Sequence, residues 1–256
     1  MFAESSGDGG SSPQPYVPTK YNEKRIVREC KSYRNVRKVC DKSFFDGVKN
    51  ADPKEFPFMA MLWNVNGNER KPICGGSLIS NRYVVSAASC FYSAHEPNIV
   101  RLGDLDYNTS DDDAAPVDFS IASYKFHDEF DDDTLFHNIA LVKLNTSVQF
   151  NDYIVPACLP RADRRDFKKF LAAGWGPVTD IGRPTGHLKK IRLDNFNDDL
   201  CLNETTIAIN TTIQMCAGSF NYEVGTCAED GGGPLFVHHP DYNCLFLVLG
   251  IASHGE

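Results

Sequence analysis

The chain has 256 residues, with 26 Lys and Arg against 34 Asp and Glu and a formal net charge of −8. That length suits one large domain or two small ones with a substantial core. The acidic balance, without a basic stripe, argues against nucleic-acid binding, and the longest apolar run, Cys244 to Ala252, is far too short to span a membrane.

In chain order, residues 1–29 read as a disordered polar tail, because the first stretch is dominated by Ser, Gly and Pro and offers little to bury. Residues 30–44 read as a charged, propeptide-like linker carrying Cys30 and Cys40. From residue 45 to residue 256 the texture changes to short apolar, β-branched and aromatic runs separated by turn residues. Phe58 to Trp63, Tyr83 to Val85, Asn98 to Leu102, Ile139 to Leu144, Ile191 to Leu193 and Leu245 to Leu249 are the strand candidates. Their spacing predicts an all-β barrel or sandwich.

Nine cysteines are present, none of them in a C-x-x-C pair, which leaves little support for zinc. Sequons occur at Asn108, Asn145, Asn203 and Asn210. Together they point to an oxidising, secreted setting with glycosylation at those asparagines. Met1-Phe-Ala-Glu-Ser-Ser6 has no apolar signal-peptide core, so the natural start is expected to lie elsewhere.

Several landmarks then occur in order: Cys74-Gly-Gly-Ser-Leu-Ile79, Val84-Val-Ser-Ala-Ala-Ser-Cys90, His137-Asn-Ile-Ala-Leu141, Ala173-Gly-Trp-Gly176 and Gly225-Thr-Cys-Ala-Glu-Asp-Gly-Gly-Gly-Pro234. In them the chain resembles the chymotrypsin/trypsin-like serine protease family (peptidase family S1) from Phe45 to Glu256. The resemblance implies two antiparallel β-barrels with a site between them, here lacking the C-terminal strand and helix. Glu29-Cys-Lys-Ser-Tyr33, Glu55-Phe-Pro-Phe-Met-Ala60, Leu102-Gly-Asp-Leu-Asp-Tyr107 and Tyr242-Asn-Cys244 are similar to arthropod clip-domain proteases of the snake type.

The family's serine attacks a carbonyl, its histidine takes the proton and its aspartate orients the histidine. The resemblance puts Ser89 at the histidine position, Asn138 at the aspartate position and Gly231 at the serine position. No residue is then expected to be catalytic: Gly231 has no nucleophile and a serine hydroxyl is no base near neutral pH. The oxyanion-hole amides fall on Glu229 and Gly231, and a carboxylate beside a developing negative charge would oppose it. Gly225, Ser253 and Gly255 fall at substrate-pocket positions, and Gly225 leaves the pocket floor neutral. His137 is expected on a strand, facing away from Asn138. Family activation by cleavage would free a terminus at Phe45, but Phe44 precedes it and offers no basic cleavage residue.

The resemblance also implies the pairs Cys74–Cys90, Cys201–Cys216 and Cys30–Cys158. Cys40 and Cys244 form a further candidate pair, and Cys227 is expected to be unpaired in this sequence. Phe170 and Val237 fill the two positions of a family bridge that is missing on both sides. The acids at 104 and 111–113 and the pair His238-His239 read as solvated or structural rather than metal-binding, so no metal or cofactor is expected. The function implied is a catalytically inactive, secreted binding or regulatory protein of an extracellular proteolytic cascade, immune or developmental. Its partners would be extracellular proteases, zymogens or inhibitors. The alternatives are a serine endopeptidase with an atypical site and a truncated product without selected function.

Overall fold

The structure, a computed structural model, describes residues 20–37, 40, 45–92, 95–160, 167–176, 186–204, 208–219 and 231–254. Twelve strands and two helices are assigned among them. Six strands close the first barrel in the order β2-β3-β4-β7-β6-β5: β2 (Met59–Asn66), β3 (Glu69–Leu78), β4 (Tyr83–Ser86), β5 (Ile99–Leu102), β6 (Val117–Phe126) and β7 (Ala140–Leu144). Alternation drives closure. Ala60 and Leu62, Val100 and Leu102, and Ala140, Val142 and Leu144 recur at every second residue and are fully buried. β2 and β3 are joined by a tight turn at Gly67, whose φ of 60° suits glycine at the first centre of a hairpin turn.

The second unit is an antiparallel sheet of six strands. β1 (Val48–Asn50), β9 (Lys189–Asn195), β8 (Lys169–Gly174), β11 (Pro234–His238) and β12 (Phe246–Ile251) lie side by side, and β10 (Ala217–Gly218) pairs with β9. A second closed barrel was the expectation; among the described residues this sheet stays open, with β1 and β12 at its ends. Phe170 and Val237 are both buried in one apolar cluster on this sheet.

An aromatic core joins the two units. Phe58 and Phe236 meet edge to face at 5.0 Å, and Phe56 contacts Phe236 at 5.2 Å and Phe246 at 5.5 Å. Such geometries add about 1 kcal/mol each beyond the area they bury. Trp63 and Trp175 are buried in the same cluster, and Trp175 Nε1 donates to the Leu105 carbonyl (3.2 Å).

The N-terminal reading needs correction. Helix α1 spans Lys20–Tyr33 and crosses the boundary drawn at residue 29 between tail and linker. A helix of this length is marginal alone. Here Cys30 is joined to Cys158, and Tyr33 is buried edge to face against Phe150 at 5.5 Å. Burial, aided by Glu29, pushes the Tyr33 hydroxyl up to about 12. The remaining disulfides are Cys40–Cys244, Cys74–Cys90 and Cys201–Cys216. Cys201 lies in helix α2 (Asp198–Glu204). Among the described residues no helix is long and apolar enough to cross a membrane.

Candidate functional site

Ser89 sits in a short 3-10 turn, Ala88–Phe91, directly after β4. The turn is pinned from below by Cys74–Cys90, whose first cysteine lies on β3. Asn138 stands just before β7, separated from it by Ile139, and Ser253 just after β12, separated from it by Ala252. These three residues meet. Asn138 Oδ1 accepts the Ser89 N–H at 2.9 Å. Asn138 Nδ2 donates to Ser89 Oγ at 3.0 Å and to Ser253 Oγ at 2.9 Å. Asn138 is only 8 % exposed. An uncharged amide with three partners can be buried there without the desolvation penalty of a carboxylate.

The Gly231 segment joins this cluster through the backbone. Gly75 N–H donates to the Gly231 carbonyl at 2.9 Å. Gly232 N–H donates to the Ala252 carbonyl, and Ala252 N–H to the Gly233 carbonyl, both at 2.8 Å. Gly232 has φ +79°, and a Cβ there would lie 2.2 Å from Ser86 Oγ and 2.6 Å from the Gly75 carbonyl. Only glycine fits this crossing. Ser86 is fully buried and donates to the Gly75 carbonyl at 2.7 Å, so its hydroxyl is committed to holding β3 and β4 together.

Gly225, Cys227, Glu229, Asp230 and Gly255 lie outside the described residues. The structure therefore brings together Ser89, Asn138 and Ser253 with the Gly231 backbone close by. One member of the group was not anticipated: His254 Nδ1 is 3.2 Å from Ser253 Oγ. The Ser-His dipeptide was visible in the sequence, but sequence adjacency does not say whether the ring turns back onto the hydroxyl.

His137 departs from its expected strand position. It lies in a turn with φ 55°, and its ring stacks on His127 at 4.5 Å. Phe45, the expected activation terminus, is buried in the aromatic core. Lys190 Nζ lies 5.1 Å from its ring centre and pairs with Glu55 Oε2 at 2.6 Å and Asp52 Oδ2 at 3.2 Å. Burial would lower the Lys190 ammonium, but the bonds to Glu55 and Asp52 outweigh it and raise it.

Three of the acids read as solvated or structural, Asp104, Asp112 and Asp113, have protein partners. Asp113 bonds Lys54 Nζ at 2.7 Å and Tyr153 Oη at 2.6 Å, Asp112 accepts the Asp106 N–H, and Asp104 faces Arg101 at 3.2 Å. The Lys54 and Tyr153 hydrogen bonds hold Asp113 below the usual carboxylate range. His238 lies against Phe246 and His239 against Tyr242. Of the sequon asparagines, Asn108 and Asn145 are exposed, Asn210 is half-buried with Oδ1 accepting from Thr212, and Asn203 falls within α2.

Residues 45–256 match the family described as Trypsin. The chain is 31% identical over 222 residues to the proclotting enzyme of Tachypleus tridentatus, covering 82% of this chain and 59% of that protein. It is 33% identical over 212 residues to the serine protease snk of Drosophila melanogaster, covering 78% of this chain and 48% of that one. The chain thus spans about half the length of these relatives. Among solved structures it is similar to the Drosophila Grass clip serine protease of the Toll pathway, with a TM-score of 0.74 and 26% identity, over 90% of this chain and 70% of that one. A closed β-barrel packed through aromatic side chains on a second antiparallel sheet, with ordered sequence landmarks and a match from residue 45 to residue 256, places the chain in the trypsin-like serine protease family.

Proposed function

We propose that this chain is a catalytically inactive member of its family, acting as a secreted binding or regulatory protein in an extracellular proteolytic cascade. The observation that carries the reading is the bonding of Asn138 to Ser89 and Ser253. At the positions the family resemblance assigns to the triad, an amide holds a hydroxyl, and Gly231 carries no nucleophile. Disabling a triad of this kind costs on the order of 10⁶ in turnover, about 8 kcal/mol of barrier lowering. The relatives' names, a proclotting enzyme and a protease of the Toll pathway, support a cascade setting with proteases, zymogens or inhibitors as partners.

A second reading, an endopeptidase with an atypical site, draws on the Ser253–His254 contact. Against it, Ser253 Oγ already accepts the Asn138 amide, and neither residue lies at the position of the family's nucleophile. Labelling with a fluorophosphonate serine probe, before and after cleavage by trypsin, separates the two. We expect no labelling and no hydrolysis of a peptide panel. Labelling that disappears in Ser253→Ala would establish the second reading. A protein absent from secretions, without glycans and with free thiols, would instead point to a product without selected function.

A further inference from the structure

We infer that the loop joining β6 to β7 carries a transition-metal site formed by His127, Glu129 and His137, suited to Zn²⁺. The β6–β7 ladder runs to the pair Phe126↔Ala140, and one further bond, His127 N–H to the Ile139 carbonyl at 3.1 Å, closes the loop. That closure sets the two histidines against each other across the loop mouth. Their rings stack at 4.5 Å with 16° between planes, so a turn of the exposed His127 ring is needed to bring both in-plane lone pairs onto one ion. His137 Nε2 lies 3.4 Å from Glu129 Oε2. One donor atom from each of the three residues lies within 4.8 Å of the other two.

The backbone contributes a second observation. His137 and Leu135 both have φ 55°, a left-handed conformation that non-glycine residues seldom adopt. The His137 carbonyl accepts the Ile139 N–H at 2.7 Å, a three-residue turn centred on Asn138 that follows directly on the histidine. His127 Nδ1 accepts the Glu129 N–H at 3.2 Å, a long bond that a metal would replace. Between the histidines stand Asp128, Glu129, Asp131, Asp132 and Asp133 with no Lys or Arg, a field that concentrates cations at the loop. Asp131 is already engaged with Thr134 and the Asp133 N–H, so it shapes the loop and leaves coordination to the other groups.

Two imidazoles and one carboxylate, with room for water as the fourth ligand, form a donor set for zinc and its neighbours. Calcium prefers oxygen ligands in larger number. The site would not be isolated: His137 is bonded to Asn138, so a bound ion would stiffen the segment that presents the amide to Ser89 and Ser253.

The test is titration of the full chain with ZnCl₂ by calorimetry and with CoCl₂ by visible absorption, with CaCl₂ as comparison. We expect one saturable zinc site with intense tetrahedral cobalt bands, and no calcium signal. His127→Asn and His137→Asn should each weaken zinc binding by about tenfold or more, since losing a ligand costs at least as much as losing an outer-shell partner. Asn is chosen at 137 because it tolerates the left-handed conformation. Near-ultraviolet circular dichroism checks that both variants stay folded. Absence of zinc binding, or folded variants that bind zinc as the parent does, overturns the proposal; the latter would move the site to other members of the chain's seven histidines.

Discussion

The Asn138 side chain grips Ser89 twice, accepting its backbone N–H at 2.9 Å and donating to its hydroxyl at 3.0 Å. The same amide reaches Ser253 across 115 residues of sequence. Asn138→Ala would leave a half-buried N–H and two half-buried hydroxyls without this partner. We expect a loss of about 2 kcal/mol, read from the midpoint of urea unfolding. An unchanged midpoint would mean that water replaces the amide at no cost.

On the proposed reading, a serine at position 231 should not by itself restore catalysis. Gly231→Ser supplies a hydroxyl near the Ser86–Gly75 crossing, but Ser89 cannot remove its proton. We expect no gain in hydrolysis of chromogenic peptides over the parent. Measurable turnover would reveal a base recruited from elsewhere, with His254 the first to test by His254→Ala.

Gly232 packs against the barrel, with no room for a side chain. Gly232→Ala places a methyl group against Ser86 Oγ and the Gly75 carbonyl at a φ of +79°. The expected cost is about 3 kcal/mol, from overpacking and backbone strain together. Thermal melting of the variant measures it. The substitution Gly67→Ala, with φ +60° and no atom within 4 Å of the added carbon, is the control and should cost less.

The acid sensitivity of the first barrel should divide between two aspartates. Partial burial would raise Asp118, but hydrogen bonds from Arg101 and Arg70 outweigh it and hold it below the usual carboxylate range. Its folded pKa is depressed, so its stabilisation is present above the unfolded value and is lost as pH falls through the folded value. Asp104 is shifted the other way, raised by burial against the pull of Arg101. Its penalty is present at neutral pH and is relieved on acidification. Asp118→Asn should therefore flatten the fall in melting temperature between about pH 6 and about pH 3, and Asp104→Asn should steepen it. Parallel pH–melting curves for both variants and the parent would contradict the assignment.

Much of the fold was legible in the chain because a strand states its buried face locally. Ala140, Val142 and Leu144, or Val100 and Leu102, declare one side of a sheet by alternation alone. The start of the family domain at residue 45 was equally plain, since ordered landmarks carry it. The helix Lys20–Tyr33 was less legible. Its polar composition reads as a solvated tail, and the side chains that anchor it, Cys30 and Tyr33, find their partners at Cys158 and Phe150, more than a hundred residues away.

By itself, then, the sequence determined the strand faces and the family, because each is a local pattern or an ordered string. Only the tertiary structure decided what the residues of the candidate site touch. It joined Cys40 to Cys244 across 204 positions, turned the Asn138 amide onto two serines, folded His254 back toward Ser253 and stacked His127 on His137. Hydrogen bonds and disulfides form by distance and direction in space. Chain closure sets both, and no periodicity along the sequence encodes them.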